Sequence, residues 1–376
     1  MTPTPPTSLF SHLSVIPDPR REASVDHPLP TILFIAVCAV ICGAETVMDI
    51  ERWSKAKAAW LETLIPLPYG IPSHDTFRRV LMILSPLAFR EAFVDWVKEA
   101  VRLHDGEVVA VDGKTVRRSR SARHGLAAIQ IVSAFATRNG LVLGQVKTDS
   151  KSNEITAIPE LLRVLELSGC LVSIDAMGCQ KAIAEQIVEQ GADYLLAVKT
   201  NQPTLHEICE ETVQWAIEEE VTTLGGDYAH SSEVSGGIEV IREVWSVPAP
   251  VDLEDLTVWK GLRSIVFAKR EVIDGAERTV GQRLFISSRA ADNAPSFLHA
   301  VRQHWAIENT VHWSLDVTFD EDRHRFRSEH GAENMSRLRH IALNLLKQET
   351  SRKDSIRGKR KIAGWDNDYL LKILGL

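Results

Sequence analysis

The spacing of apolar residues changes character near residue 106. Before that point the pattern is helical, with apolar residues recurring every three or four positions or running together. Helical stretches are predicted over residues 31–44, 46–64 and 75–103, with a break near Pro86. Ser73 and Asp75 are typical helix caps and stand just where the third stretch begins. The pattern therefore predicts a small all-helical unit over residues 1–105.

From Gly106 onward, short runs rich in β-branched residues replace the helical spacing. Three runs come first, over residues 107–112, 127–137 and 141–148. The pair Asn139-Gly140 between the second and third runs is a strong hairpin signal. Two more apolar runs follow, 171–175 and 194–199, and a helical segment precedes each of them. The order β-β-β-α-β-α-β predicts an α/β fold with a mixed sheet and helices on both faces.

An acidic stretch then separates these strands from the last helices. Residues 203–260 contain thirteen carboxylates against Arg242 and Lys260. Strand-like runs are found over residues 240–247, 262–273 and 280–287. Helical patterns resume over residues 295–316 and 332–347, and the residues after Glu349 are basic. The predicted organisation is therefore a catalytic domain in two parts, 106–202 and 291–348, with an insertion subdomain at 203–290 and a basic C-terminal tail at 349–376.

Composition restricts the class of protein further. The chain has 376 residues, 44% of them hydrophobic and 25% charged, which is the balance of a soluble globular protein and excludes a disordered or fibrous chain. The net charge of −7 does not by itself indicate a nucleic-acid binder. Five cysteines form no CxxC pair, as expected for reduced cytosolic thiols. The longest apolar run, 32–42, is too short to span a bilayer, so we expect a cytoplasmic protein without a membrane partner.

Two aspartates stand where chemistry is expected. Asp112 ends the first strand and Asp175 ends the fourth, each after an apolar run. If these strands are parallel neighbours, both carboxylates lie at the same carboxyl edge, where open α/β sheets bind ligands. Each aspartate could instead only cap the turn that follows it. Two carboxylates close together favour a divalent cation, and oxygen ligands favour Mg²⁺ or Mn²⁺ over zinc.

A third carboxylate is available on the late helix. Glu308 stands between His304 and His312 at a spacing of four residues, so that the three would share one helical face. Such a stripe could be a solvated polar face, although Trp305 and Trp313 beside it indicate partial cover. A zinc hydrolase built on His304, Glu308 and His312 is an alternative, but HExxH is absent and the two aspartates would have no role.

Four long motifs carry a family resemblance. They read VVAVDGKTVRRS, KTDSKSNEITAIPELLRVLELSGCLVSIDAMGCQ, GADYLLAVKTNQ and RQHWAIENTVHWSLDVTFDEDRHRFR. In these motifs the chain resembles the bacterial insertion-sequence transposases of the H-repeat-associated group, over residues 15–348. That group belongs to a superfamily with an Asp-Asp-Glu triad on a ribonuclease-H-like fold. The resemblance implies that Asp112, Asp175 and Glu308 are the triad, holding two Mg²⁺ ions for which Mn²⁺ can substitute.

The chain departs from one signature of that superfamily, in which Tyr, Arg and Lys accompany the glutamate. Val301, His304 and Leu315 stand at those positions, so only Glu308 is retained. Arg302 and His312, with His304, are expected to supply the contacts to DNA instead. Downstream, Asp316, Glu321 and Asp322 compete with Glu308 for the third place in the triad. We expect Glu321 and Asp322 to pair with the neighbouring Arg323, Arg325 and Arg327.

Basic residues gather next to the predicted site. Lys114, Arg117, Arg118, Arg120 and Arg123 follow Asp112 with no acid among them, as in a mobile loop that contacts DNA phosphates, although a solvated loop is the alternative. Further contacts are expected from Lys199, Asn201 and Gln202 and from the cluster at 323–327. The acidic stretch 203–260 is expected to lie away from the duplex.

The resemblance implies a transposase that binds the terminal inverted repeats of its element, cuts phosphodiester bonds and joins the 3′ ends to target DNA. The partners would be double-stranded DNA and a second copy of the chain in the active complex. The helical unit 1–105 is expected to recognise the element ends. The alternative is a decayed copy that retains DNA binding without turnover.

Overall fold

The computed structural model describes residues 8–22, 25–119, 128–148, 154–250, 252–323 and 326–376, with Arg118 included for its backbone alone. Over these ranges, helices and one large mixed sheet make up the molecule, which confirms the predicted α/β class. No helix in the described ranges is both long enough and apolar enough to cross a membrane.

Helices form the first part of the described chain. Their bounds are α1 Ser8–Ser14, α2 Leu29–Ile41, α3 Val47–Ala56, α4 Ala58–Leu61, α5 His74–Ile83 and α6 Pro86–Ala100. Helix α2 is apolar and almost entirely buried, so it forms the centre of this region. Ser73 and Ser85 cap α5 and α6 by accepting backbone N–H bonds, and the predicted third stretch therefore divides in two before Pro86.

The strands join in a single sheet. Their bounds are β1 Val108–Thr115, β2 Gln130–Ala136, β3 Leu141–Thr148, β4 Leu171–Ile174, β5 Asp193–Val198, β6 Asp227–Ser235, β7 Ile238–Pro248, β8 Ser264–Asp274 and β9 Glu277–Ser287. The spatial order is β3-β2-β1-β4-β5-β9-β8-β7-β6. Strand β1 is antiparallel to β2 and parallel to β4, and β4 is parallel to β5. Helices α7 (Glu154–Arg163) and α8 (Lys181–Glu189) make the two crossovers, so the strands and helices succeed one another as predicted.

Residues 203–290 extend this same sheet. Helix α9 (Pro203–Glu218) and the short α10 (Glu254–Thr257) accompany an antiparallel meander of β6 to β9, and β9 pairs with β5. The three predicted strand-like runs fall within β7, β8 and β9. The sequence did not indicate β6, because its residues are mostly polar and it lies at the edge of the sheet.

The predicted helix over 295–316 changes its geometry partway. Helix α11 (Ala294–His304) is capped by Asn293, and two π-helical segments follow it, Ile307–His312 and Ser314–Thr318. The π geometry begins shortly after His304 and includes both Glu308 and His312. Such π segments are often found at functional sites.

The last helices pack against a helix from the first part of the chain. Helix α12 (Gly331–Gln348) is buried along most of its length between α2 and β3, and α13 (Ile356–Trp365) and α14 (Asn367–Leu374) follow it. The predicted basic tail is therefore helical, and part of its charge is internal. Arg360 donates to the backbone carbonyl of Val40 at 3.0 Å, and Lys359 donates to that of Leu346 at 3.0 Å. One continuous apolar core joins these helices, α2 and the sheet.

Candidate functional site

Asp112 and Asp175 lie side by side at the carboxyl edge of the sheet. Val111 of β1 pairs with Ile174 of the parallel strand β4, and an aspartate follows each of them. Strand β1 continues to Thr115, so Asp112 lies within it and does not end it as the sequence predicted, whereas Asp175 directly follows β4. Asp175 also caps the turn that follows, since its Oδ1 accepts a hydrogen bond from the Met177 backbone N–H at 3.1 Å. Turn capping and proximity to Asp112, which the sequence offered as alternatives, are therefore both present.

The surroundings of Asp112 disfavour its charged form. Burial raises the pKa of its carboxyl group to about 7, and the negative charge of Asp175 adds to this effect. Smaller contributions in the same direction come from Glu308 and Glu154. The carboxylates of Asp175, Glu308 and Glu154 thus all act on Asp112 in the same direction.

Glu308 lies on the first π-helical segment and its side chain is exposed. Partial burial raises the pKa of its carboxyl group, Asp175 raises it further, and Arg283 lowers it. Of the competing acids, Asp316, Glu321 and Asp322 all surround the ammonium group of Lys114. Glu308 is therefore the late carboxylate whose charge reaches both aspartates.

Sequence reasoning missed Glu154. It stands in the first turn of α7 and is only 4% exposed. A Cβ atom at Gly113, the residue after Asp112, would come within 2.6 Å of its Oε1 atom. The Glu154 carboxyl group fills the space beside the strand at position 113, so a larger residue there would require this side chain to shift. Glu154 lies within the second of the four motifs, but nothing in that motif indicates that α7 brings its side chain to β1.

The donor set fits a hard divalent cation by its chemistry. All the groups are carboxylates, which are the ligands that Mg²⁺ and Mn²⁺ prefer, and they raise one another's pKa values as uncompensated like charges do. Over the described ranges, no three His, Cys, Asp or Glu side chains are close enough together to enclose an ion as they stand.

The two histidines around Glu308 face different partners. His304 is buried, and its Nδ1 lies 3.1 Å from the Ser173 hydroxyl on β4. The Nδ1 atom of His312 lies 3.4 Å from Oδ2 of Asp112. Burial lowers the pKa values to about 4 for His304 and about 3 for His312. Both are neutral at neutral pH and so carry no charge for DNA, and they contact different strands, His304 at Ser173 of β4 and His312 at Asp112 of β1.

Lys114 lies in β1 and not in a mobile loop, which corrects the sequence prediction. Its Nζ atom is 2.7 Å from Oδ1 of Asp316 and 2.8 Å from Oε2 of Glu321. Burial would lower the pKa of this ammonium group, and the two carboxylates raise it above its usual value. Glu321 also pairs with Arg339 at 3.4 Å. Of the arginines that the sequence suggested as its partners, Arg323 has its Nε 3.5 Å from Oδ1 of Asp320 instead. The charge of Lys114 is neutralised inside the protein, away from any DNA surface.

The predicted DNA contacts after β5 also fall into two groups, those that bond within the protein and one that faces solvent. Asn201 donates to the Ala176 carbonyl at 2.8 Å, and Gln202 donates to the Cys179 carbonyl at 2.9 Å. These amides therefore support the turn that follows Asp175. Lys199 is exposed beside them and lines a cleft of about 730 Å³. Of the predicted contacts on this segment, Lys199 is the one whose charge faces solvent.

The other predicted basic residues are placed only in part. The Arg117 side chain is 80% exposed, and its Nε lies 3.4 Å from Oδ2 of Asp322. Arg302 pairs with Glu233 of β6 at 2.7 Å. Arg323 and Arg327 are exposed. Several predicted contacts lie outside the described residues: the side chain of Arg118, together with Arg120, Arg123, His324 and Arg325.

Arg283 is a cation near the acids that sequence reasoning missed. It lies on β9, half-buried, with its guanidinium carbon 4.2 Å from the centre of the Trp305 ring. Its charge interacts with Glu308 and Asp175. The sequence contains no signal for this role, because a single arginine in a strand is common and Trp305 lies on a distant helix.

Comparison with known families gives two matches along the chain. Residues 103–345 match the model of the transposase DDE domain, and residues 10–97 match the DDE_Tnp_1-associated family. Together these segments include the sheet, the carboxylates described above and most of the N-terminal helices.

Relatives are similar over almost the whole chain. The "Putative transposase YncI" of Escherichia coli O157:H7 is 42% identical over 371 residues, covering 98% of this chain and 94% of its own length. The "H repeat-associated putative transposase YhhI" of Escherichia coli K12 is 42% identical over 371 residues, covering 97% of both chains. Among solved structures, a piggyBac transposase synaptic complex with hairpin DNA aligns with 9% identity and a TM-score of 0.38, over 98% of this chain and 79% of that one.

Proposed function

Because the chain belongs to the transposase family with a DDE domain, and to its H-repeat-associated group, we propose that it is an insertion-sequence transposase. It binds the terminal inverted repeats of its element, cleaves phosphodiester bonds there and transfers the freed 3′ ends to target DNA. The observation that carries the proposal is the pairing of β1 with β4, which brings Asp112 and Asp175 together within the influence of Glu308.

The fold is assigned as ribonuclease-H-like on the order of its first strands. Three antiparallel strands, two parallel strands beyond them, and the acids within β1 and directly after β4 support the assignment. The meander of β6 to β9 is then an insertion between the fifth strand and the helix that carries Glu308.

Asp112, Asp175 and Glu308 have distinct roles in the proposed reaction. The two aspartates, one within β1 and one directly after β4, would hold the divalent ions, and Glu308 would complete the ligand set from the π-helical segment. Two ions held there would supply Lewis acidity to the attacking and leaving oxygens of the phosphodiester. His312 contacts Asp112, and Asn201 and Gln202 hold the turn after Asp175.

DNA binding is proposed for the exposed cations around this edge. Lys199 and Arg117 are exposed there, and the segment with Arg118, Arg120 and Arg123 adjoins Arg117 in the sequence. Phosphate contacts of this kind position a duplex without reading its sequence. We therefore assign recognition of the repeat to the N-terminal helices. Two copies of the chain, one on each element end, would form the active complex on the bacterial chromosome.

The proposal is tested with the inverted repeats that flank the chain's own gene. A labelled duplex ending in such a repeat is incubated with the purified protein and Mn²⁺, and nicked and joined products are separated on a denaturing gel. Nicks at the repeat boundary and joined 3′ ends are expected. Repeat-specific binding without any product would instead identify a decayed copy.

A further inference from the structure

A second basic region lies between α11 and the outer strands of the sheet. There a cleft of about 230 Å³ opens between α11 and the face of β7 to β9 that this helix covers. The cations and the aromatic residue that line it are Arg242, Lys269, Arg270, Arg283, Arg302 and Trp305. The cations of this basic cleft, apart from Arg242, follow the acidic stretch 203–260 in the sequence.

The charges around this basic cleft do not balance. Arg242 and Arg302 share one carboxylate, Glu233, at 3.2 Å and 2.7 Å. Lys269 pairs with Glu243 at 2.7 Å. Over the described ranges, neither Arg270 nor Arg283 has an ion pair or a side-chain hydrogen bond with the protein. The cleft therefore has an excess of positive charge and unused guanidinium donors.

The register of the strands brings like charges together. Arg242 of β7 stands directly opposite Arg270 of β8, and Gly281 of β9 continues that row. Like charges facing each other across a sheet are destabilising unless an anion lies between them. In the next row, Ala268 pairs with Arg283. Small residues in both rows leave the floor of the cleft open to a ligand.

Arg283 connects this cleft to the acids. Its guanidinium group lies over the Trp305 ring, three residues before Glu308, and this contact fixes its plane. A planar guanidinium with free donors is suited to a phosphate group, which it contacts through two parallel hydrogen bonds. Arg270 and Arg283 thus stand in neighbouring rows of one face, and the charge of Arg283 reaches Glu308 and Asp175.

We propose that the basic cleft binds the phosphodiester backbone of the DNA strand that adjoins the cleaved bond, with Arg283 on the phosphate nearest Glu308 and Arg270 on one further out. The proposal rests on the proposed function, since it takes Glu308 as part of the reacting site. The proposed contacts, Arg270 and Arg283, follow the acidic stretch 203–260 in the sequence, so the expectation that this stretch lies away from the duplex remains a separate prediction.

The test measures DNA binding of Arg270→Ala and Arg283→Ala by fluorescence anisotropy over a range of salt concentrations. The probe is the labelled repeat duplex, with Ca²⁺ in place of Mn²⁺ so that no strand is cut. Each variant is expected to bind several-fold more weakly, and the slope of log K against log salt should fall by about 0.9 for each lost phosphate contact. Arg270 is exposed, so its replacement leaves the fold intact.

Arg278→Ala is the matched control. Arg278 belongs to the same strand as Arg283, but its position places it on the opposite face, where it pairs with Glu271. This variant should keep the affinity and the salt slope of the wild type. If Arg270→Ala and Arg283→Ala also keep both while the wild type binds and nicks the repeat, the cleft proposal is wrong and the proposed function stands. If the wild type neither binds nor nicks the repeat, both are wrong.

Discussion

The ammonium nitrogen of Lys114 lies 2.8 Å from a carboxylate oxygen of Glu321, although the two residues are 207 positions apart. Both side chains are buried, and Lys114 stands two residues after Asp112 on β1. The pair therefore connects the strand that carries the first acid to the segment that follows Glu308. It is part of the framework that positions the candidate site.

Glu321→Gln should destabilise the protein severely. The side chain of Glu321 is 1% exposed, and its removal as an anion leaves Lys114 and Arg339 with less compensation inside the protein. Breaking a buried ion pair on one side costs about 3–5 kcal/mol. Urea unfolding measures the loss of stability. The control is Glu277→Gln, at an exposed position at the start of β9, which should leave the free energy of unfolding unchanged. A Glu321 variant as stable as the control would show that the pair contributes little.

The pair of Lys114 and Glu321 also makes the stability of the protein depend on pH. Burial raises the pKa of Glu321, but Lys114 and Arg339 outweigh it, and the net result is well below the usual value of 4.5. A carboxyl group whose pKa is depressed on folding stabilises the fold above its unfolded pKa, and this contribution is lost as the pH falls below it. The stability difference between wild type and Glu321→Gln should therefore shrink as the pH is lowered from about 5.

Asp112 should make the metal-free protein less stable as the pH rises. Its pKa of about 7 in the folded state exceeds the ordinary 3.8, so the folded protein holds a proton that the unfolded chain has released. The stability due to this proton is complete below about pH 4 and is lost as the pH approaches 7, an effect of at most about 4 kcal/mol. Unfolding in the presence of EDTA at several pH values measures it.

Asp112→Asn is the control for that experiment, because an amide does not titrate. Its stability should vary less with pH over the same window, and the addition of Mn²⁺ at pH 8 should stabilise the wild type but not this variant. If the stability of the two proteins varies with pH in the same way, folding does not raise the pKa of Asp112.

The basic segment after β1 should contribute to binding without selecting a sequence. Replacing Arg117, Arg118 and Arg120 by alanine is expected to weaken binding to repeat and unrelated duplexes alike, and to reduce the salt slope by up to about 0.9 per lost contact. Anisotropy with both duplexes checks this. An unchanged slope would identify the segment as merely solvated.

Removal of the N-terminal helices should abolish folding as well as recognition. A truncated protein beginning at Gly106 loses α2, which packs against α12, and so exposes the apolar side of a buried helix. We expect this protein to aggregate or to unfold in much less urea than the full chain. A stable, soluble fragment that still prefers the repeat would contradict both this packing argument and the proposed recognition by residues 1–105.

The sequence predicted the parts of the site that depend on local pattern. Asp112 and Asp175 each end an apolar run, and parallel crossovers bring such runs together, so their proximity could be inferred. The π-helical geometry around Glu308 could not be inferred, because the residues there favour an ordinary helix.

Contacts between distant residues were beyond sequence reasoning. The sequence predicts Lys114 in a mobile loop that contacts DNA phosphates because arginines follow it, whereas its partner Glu321 lies on the far side of the insertion. Glu154 and Arg283 reach the site only through the fold, one from a crossover helix and one from the outer strands. A charged residue that lies near a candidate catalytic residue in the sequence is thus a weaker indication of a shared site than a residue that the fold brings next to it.

The central claim is that Asp112, Asp175 and Glu308 form the cleavage site, and Glu308→Gln tests it most directly. Glu308 is exposed, so the substitution should preserve folding and leave repeat binding within a few-fold of the wild type. A neutral amide does not serve as an anionic metal ligand, so Mn²⁺-dependent nicking of the labelled repeat should be lost. Glu277→Gln, prepared in parallel, should nick as the wild type does. Robust nicking by a folded, repeat-binding Glu308→Gln protein would show that the third catalytic carboxylate has been assigned to the wrong residue.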